Sequence, residues 1–285
     1  MIIVTGATGK LGRATIERLL ERVPADQVGA SVRAPEKARD LAERGVRVRR
    51  GDFADPASLA RAFEGASQVL IVSADSIGEE LLDLHRTAIG AAKAAGARRI
   101  LYTSHMGANP SSVFPPMPDH AATEEALRAS GVPFTALRNG FYASTTAAVL
   151  GAALRTGELA VPEDGPVSWT AHADLAEATA AILAGETFDG PTPALTAGEA
   201  LRMSDVAALA TEITGRPIKH VVVPDAEYRA SLSAHGVPDF AADMLVAMFA
   251  ASHRGEFAEV DPTLARLLDR PTTRLRDVLQ AALAG

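Results

Sequence analysis

The first twelve residues constrain this chain more than any other stretch. An apolar run, Ile2-Ile3-Val4-Thr5, passes directly into Gly6-x-x-Gly9-x-x-Gly12. That junction predicts a buried strand turning sharply into a helix over residues 10–23, so that free backbone N–H groups at the helix start face a pyrophosphate. Glycines are needed there because a Cβ would block either the ligand's approach or the packing of helix on strand. The spacing is G-x-x-G-x-x-G rather than G-x-G-x-x-G, and a purely structural turn is the competing reading. The pattern of the next 130 residues weighs against a purely structural turn.

Strand-like apolar runs recur at 27–33, 46–52, 68–73, 98–104 and 133–139, each separated by a segment of helix length. Such alternation predicts a parallel sheet covered on both faces. Pro35 and Pro56 sit near first-turn positions, Asp55 is a plausible cap, and Gly45, Gly65 and Gly131 stand where helices should end. The expected fold is α/β, a Rossmann-type doubly wound parallel sheet with a smaller, mostly helical C-terminal lobe. Residues 1–140 read as the NAD(P)-binding domain and 141–285 mainly as the substrate-binding lobe, with segments near 166–197 expected to pack back onto the first domain. Past residue 140 the patterns predict helices at 144–156, 174–184 with Asp174 as cap, 204–214, 225–235, 239–253 and 272–283. Extended pieces are expected at 158–161, 193–196 and 218–223. A loop over 106–118, holding Pro110, Pro115, Pro116 and Pro118, comes after the fifth strand at the edge where open α/β sheets bind ligands.

Composition removes several classes of function. With 285 residues the chain can bury a large core. Its net charge of −7 and its lack of a long basic run make nucleic acid an improbable partner. Apolar segments are too short or too interrupted to span a bilayer, and a first strand at residue 2 leaves no room for a charged leader. The absence of cysteine excludes disulfides, thiol catalysis and Cys-based zinc sites. A cytoplasmic protein is expected, without a metal.

The second strand's end tells which nucleotide is preferred. An NAD-selective site places an acidic residue there for the ribose hydroxyls, and this chain has Arg33. A guanidinium cannot accept from a 2′-hydroxyl but pairs well with a 2′-phosphate, which favours NADPH over NADH. A solvated arginine at a strand end is the alternative. Lys37, one helical turn on, can support the same phosphate. In Gly51-Asp52-Phe53, Asp52 and Phe53 are assigned to the adenine side, with an aspartate in a polar turn as the plainer reading of Asp52.

Taken in order, Thr5-Gly-Ala-Thr-Gly-Lys-Leu-Gly12, Val32-Arg33, Gly51-Asp52-Phe53, Ala94-Ala-Gly96, Tyr102-Thr-Ser104, His120-Ala-Ala-Thr-Glu124 and Leu137-Arg-Asn-Gly-Phe-Tyr142 resemble the NmrA-like atypical short-chain dehydrogenase/reductases. Within that group the chain is similar to the flavin-independent NAD(P)H:quinone oxidoreductases and triphenylmethane reductase. The likeness runs nearly the whole length, through Pro238-Asp-Phe-Ala-Ala-Asp-Met244 and Leu267-Leu-Asp-Arg-Pro-Thr-Thr273. It implies pyrophosphate contacts at Gly6, Ala7, Thr8, Gly9, Lys10 and Leu11, and a 2′-phosphate contact at Arg33. It further implies cofactor contacts at Ser73, Ala74 and Asp75, and nicotinamide-side contacts at Leu137, Arg138, Asn139, Gly140, Phe141 and Tyr142.

Carbonyl-reducing members of that superfamily need a Tyr-x-x-x-Lys pair, because hydride addition to a ketone makes an alkoxide that must be protonated. None of the three tyrosines, Tyr102, Tyr142 and Tyr228, is followed four residues later by a lysine. His120 and Glu124 stand at the equivalent place, on one helix face with Thr123 and Leu127. A quinone escapes the difficulty, since its reduction gives a phenolate-like anion whose pKa is about 10, within reach of water or a nearby histidine. Catalysis then consists mainly of holding the nicotinamide against a flat acceptor, with no flavin. His120 has two readings of equal weight: an acid or hydrogen-bond donor to a quinone oxygen, or a polar residue satisfying its helix's first turn. Thr103 and Ser104, at the fifth strand's end, are assigned to the cofactor side, Ser104 supporting nicotinamide or substrate position. The acceptor pocket is expected to involve His105, Met106, Phe114, Met117, Phe141, Tyr142 and Trp169, although Trp169 also reads as core. The expected activity is an NADPH-dependent reductase of quinones or similar planar acceptors. Its rivals are a non-catalytic NADP(H)-sensing regulator and a reductase of another planar electrophile such as an imine or activated alkene. A homodimer is left open.

Overall fold

The computed structural model describes residues 1–185 and 188–283. In chain order the elements are β1 (Ile2–Thr5), α1 (Lys10–Leu19), β2 (Val28–Val32), α2 (Arg39–Glu43), β3 (Arg47–Arg50), α3 (Pro56–Ala62) and β4 (Gln68–Ile71). They continue with α4 (Gly78–Ala94), β5 (Arg99–His105), α5 (Pro116–Ser130), β6 (Phe134–Asn139), α6 (Ser144–Thr156), β7 (Glu158–Val161) and α7 (His172–Ala184). The last third holds β8 (Gly190–Pro191), α8 (Met203–Thr214), β9 (Lys219–Val222), α9 (Asp225–Ala234), α10 (Asp239–His253), α11 (Thr263–Leu268) and α12 (Leu275–Leu283).

Seven strands form one parallel sheet in the order β3-β2-β1-β4-β5-β6-β8, the doubly wound α/β architecture expected from the alternation. Alternate residues along the strands serve opposite faces, as the period of two requires. Val4, Leu70, Leu101 and Leu137 share a core with Ile16 and Leu19 of α1 and Leu175 and Ile182 of α7. Ile3, Ile71, Tyr102 and Ala136 share the other with Leu59 and Phe63, Ile89 of α4 and Leu127 of α5. A third core, around Trp169, Met248, Phe249 and Leu279, lies in the C-terminal half, where β7 and β9 make a separate two-stranded parallel sheet. Among the described residues no helix is long and apolar enough to cross a membrane.

The C-terminal half is stitched to the sheet by backbone. Asn139 at the end of β6 bridges Leu195, and Tyr142 just beyond it bridges Thr170; within the C-terminal half Val167 bridges Leu201. The extended piece expected at 193–196 is instead a strand at Gly190–Pro191 with isolated contacts beyond it, the Thr192 and Leu195 N–H groups donating to the Ala136 and Arg138 carbonyls. Pro191 and Pro193 have no N–H to donate, so a regular ladder cannot form.

Other boundaries also differ from the sequence pattern. Helix α1 ends at Leu19 rather than residue 23, α5 begins at Pro116 and so shortens the preceding loop, α12 begins at Leu275, and α11 has no counterpart among the expected helices. Asp174 is not a cap: Ala171 holds the N-cap position of α7, and the Asp174 carboxylate accepts from Thr273 N–H, Thr273 Oγ1 and Arg270. That ion pair, between a buried Asp174 and an exposed Arg270, fastens the chain between α11 and α12 to α7. By contrast, Asp55 caps α3, its side chain accepting from the Ser58 N–H, with Pro56 in the first turn.

Candidate active site

All strands of the large sheet point the same way, so the glycine loop after β1, Arg33 after β2, Asp52 after β3, Ser73 after β4, His105 at the end of β5 and Asn139 at the end of β6 share one edge. The strand order reverses between β1 and β4, which is where such sheets leave a crevice.

Each glycine of the loop has a different reason to be there. Gly6 has φ +60°, a conformation disfavoured for residues with a Cβ. A Cβ on Gly12 would lie 2.5 Å from the Gly6 carbonyl oxygen, so this glycine lets α1 pack against the turn. Gly9, the N-cap of α1, has ordinary φ −84° and would bring its Cβ no closer than 3.3 Å to protein. That approach is tight but not a collision, so packing opposes a side chain at 9 far less than at 12. Thr8, Gly9 and Lys10 are exposed, while Ala7 and Leu11 are buried in the α1 core. Helix α1 packs on α7, and burial, with the Lys10 charge nearby, lowers the His172 pKa at the start of α7. His172 in turn packs against Tyr142, ring centroids 4.1 Å apart.

Arg33 is exposed and, among the described residues, makes no hydrogen bond or ion pair. Its neighbours are engaged: Arg13 pairs with Asp40, and Arg50 with Asp55 at 2.7 Å. Asp52 accepts from the Ala54 N–H at 3.1 Å, the polar-turn arrangement, and Phe53 sits edge-on to His85. After β4, the Ser73 N–H donates to Thr103 Oγ1 at 2.8 Å and the Ala74 N–H to His85 Nε2 at 3.1 Å, while Asp75 is exposed.

Strand β5 sends Tyr102 and Ser104 toward α5, two residues apart, and α5 answers with His120 and Glu124, one turn apart. Ser104 Oγ donates to Glu124 Oε1 at 2.6 Å, and Arg138 of β6 donates to both Glu124 oxygens at 3.0 and 2.7 Å. Glu124 is only 4% exposed. Tyr102 and His120 meet at 2.7 Å between the hydroxyl and Nδ1. His120 therefore does not satisfy its helix's first turn, and that structural reading is corrected: the ring is held from β5. Burial, with His105 and His85 disfavouring another positive charge nearby, keeps His120 well below the ordinary histidine value. Burial holds His105 at about 3 and His85 at about 4, and pushes Tyr102 up.

His105 stacks on His120 with centroids 6.0 Å apart and meets Phe141 and Phe257 edge-on. Phe141 and Phe114 are stacked at 5.9 Å, and Phe141 meets Trp169 at 5.4 Å. Met106 and Met117 belong to the same buried cluster. Trp169 is 2% exposed and its indole N–H donates to the Leu201 carbonyl, so it backs Phe141 from inside the core. Phe257 has no signal in sequence: it arrives from the chain after α10. A Cβ on Gly107 would come within 2.8 Å of its ring. Leu137 is buried in the sheet core, and Gly140 leaves no room for a Cβ beside Thr170 Oγ1 at 2.2 Å. The partnerships of Tyr102 with His120 and of Arg138 with Glu124 had no signal in sequence, because they depend on how α5 lies across β5 and β6.

The residues present fit a dinucleotide. Gly9 leaves a helix start open, Arg33 offers an unengaged guanidinium, and Asn139 is 1% exposed with neither amide atom hydrogen-bonded among the described residues. Residues 6–186 match a family described as NAD(P)H-binding. Quinone oxidoreductase 2 of Escherichia coli is 36% identical over 97% of this chain and 96% of its own. A solved structure of the NADPH-dependent quinone oxidoreductase from the same organism, complexed with NADPH, superposes with a TM-score of 0.94 at 35% identity, covering 99% of this chain and 100% of that one. The Citrobacter sp. triphenylmethane reductase complexed with NADP(H) gives 0.92 at 34% identity over 99% of this chain and 100% of its own. The chain therefore belongs to the NAD(P)H-binding, NmrA-like family.

Proposed function

We propose that this protein is an NADPH-dependent reductase that passes hydride directly to a quinone or a similar planar acceptor, without flavin or metal. One observation carries the reading. Where carbonyl reduction needs an acidic tyrosine and its lysine, this site has a neutral, half-buried His120, a Tyr102 whose burial opposes ionisation, and a Glu124 fully engaged by Ser104 and Arg138. Such a site offers flat surfaces and neutral hydrogen-bond donors but no strong acid. That suits an acceptor whose reduced anion is stable enough to take its proton from water.

Bound NADPH would supply the hydride. Gly6 to Leu11 would cradle the pyrophosphate on the open start of α1, and Arg33 the 2′-phosphate. Asp52 and Phe53 would lie on the adenine side, and Ser73, Ala74, Asp75, Thr103 and Ser104 along the dinucleotide's path. Residues 137–142 would flank the nicotinamide, the Asn139 amide meeting its carboxamide. His105, Met106, Phe141 and Tyr142 would form the acceptor's walls. On this reading residues 1–140 serve the nucleotide and 141–285 mainly the acceptor, with the returning stretch near 166–197 shared between them. The Escherichia coli relative, described as an NADPH-dependent quinone oxidoreductase, supports the assignment.

The test is loss of reduced-nicotinamide absorbance with 1,4-benzoquinone, run with NADPH and NADH on flavin-free protein against an enzyme-free blank. NADPH-preferring turnover is expected. No turnover in a sample shown to bind NADPH tightly would overturn the reductase reading in favour of an NADP(H) sensor.

A further inference from the structure

Three histidines converge on this edge of the sheet, His85 buried and His105 and His120 half-buried, and the groups around each fix where its single proton sits. The Ala74 N–H donates to His85 Nε2, so the His85 proton is on Nδ1, directed at Thr123 Oγ1 2.9 Å away, which itself donates to the Asp119 carbonyl. The Gly107 N–H donates to His105 Nδ1 at 3.0 Å, so that ring carries its proton on Nε2. His120 differs because its Nδ1 partner is a side chain that can give or take.

We propose that Tyr102 is a positioning residue that sets the tautomer of His120, donating to Nδ1 so that Nε2 presents an N–H to the acceptor's oxygen. This rests on the reductase reading for its chemistry, but the tautomer itself does not depend on it. The phenolic hydroxyl has three neighbours, of which Thr123 Oγ1 is already engaged by His85 Nδ1 and the Asp119 carbonyl. Ser73 Oγ is 3.5 Å away, outside the usual O–H···O range, whereas His120 Nδ1 is at 2.7 Å. A neutral imidazole that accepts at Nδ1 must carry its proton at Nε2, and that atom has no protein partner among the described residues. The groups facing the pair are His105 from β5, His85 from α4, and Asp119 and Glu124 from α5 itself. Burial among them keeps Tyr102 protonated and His120 neutral.

Hydride carries two electrons from the dihydronicotinamide to the quinone, and negative charge gathers on a quinone oxygen. The Nε2–H of His120 meets that charge as a hydrogen-bond donor, lowering the barrier without ionising. Water supplies the proton that completes the quinol, because drawing it through His120 would leave a buried tyrosinate at Tyr102.

The experiment is a long-range ¹H–¹⁵N correlation spectrum of imidazole nitrogens in ¹⁵N-labelled protein, with His120→Gln identifying the His120 signals. Wild type is expected to show a protonated Nε2 and unprotonated Nδ1 at His120, unchanged from about pH 6 to about pH 8. Tyr102→Phe keeps the ring and its packing. It is expected to abolish the single-tautomer pattern and lower kcat with benzoquinone about tenfold at unchanged KM for NADPH. A protonated Nδ1 in wild type, or a Tyr102→Phe protein with both tautomer and kcat unchanged, overturns the proposal. If Tyr102→Phe fails to fold, the wild-type spectrum alone decides. The expected tautomer in a protein that turns over no quinone upholds the positioning role and overturns the reductase reading instead.

Discussion

Among the described residues Arg33 is a charge without a partner, at the strand end where the proposed function sets the 2′-phosphate. Its neighbours on the surface are paired, and it is not. A charge-assisted hydrogen bond contributes about 1.5–3 kcal/mol, so Arg33→Ala is expected to weaken NADPH binding by about ten- to a hundredfold. NADH affinity should change little; titration calorimetry with both nucleotides checks this, and equal losses would remove the 2′-phosphate assignment. The glycines separate in the same way. Gly9→Val should abolish NADPH binding in a protein that still melts cooperatively, because its Cβ, 3.3 Å from the Gly6 carbonyl oxygen, asks for a shift of only a few tenths of an ångström. Gly12→Ala should lower the melting temperature itself, because its Cβ would collide with backbone. Retained binding in the folded Gly9→Val protein would refute the pyrophosphate site. Arg33 and the glycines were legible because local sequence places them at strand ends. The tie between Tyr102 and His120 was not, because its 2.7 Å contact depends on how α5 lies across β5.

Between elements, Glu124 is the knot that joins α5 to β5 and β6. It accepts from Ser104 and doubly from Arg138, and loss of its charge would leave the half-buried guanidinium without its partner. Glu124→Gln is expected to destabilise the fold by about 2 kcal/mol, the low end for a broken buried pair because Arg138 keeps some contact with water. Chemical denaturation checks the figure, and an unchanged midpoint would mean that α5 is held by apolar packing alone. Helix and strand positions read well from sequence wherever one periodicity ruled, as in α6 and α10, whose expected limits match those observed. They read poorly wherever a tertiary partner decided. Asp174 looked like a cap because it sits near a helix start, but Thr273 and Arg270, almost a hundred residues later, claim its oxygens. The prolines around 190–195 broke a ladder that the apolar pattern alone predicted.

At the scale of the whole molecule the buried histidines make stability depend on pH. His85 and His105 have native pKa values of about 4 and about 3, below the unfolded value of about 6.5. Below about pH 6.5 the unfolded chain takes up protons that the native protein refuses, so stability falls as pH drops. Each histidine contributes a slope of about 1.4 kcal/mol per pH unit until its native pKa is reached, or about 2 kcal/mol by pH 5. Urea midpoints measured between neutrality and about pH 5 should fall accordingly, and His85→Gln should make the decline shallower. An identical slope in that variant would show that His85 titrates normally in the folded protein.

The backbone bridges from Tyr142 to Thr170 and from Asn139 to Leu195 have a mechanical meaning. The polypeptide leaves the last long strand of the sheet and returns to it twice, like lacing through eyelets. Parts laced in this way move together, so the crossing after β6 is a seam rather than a hinge.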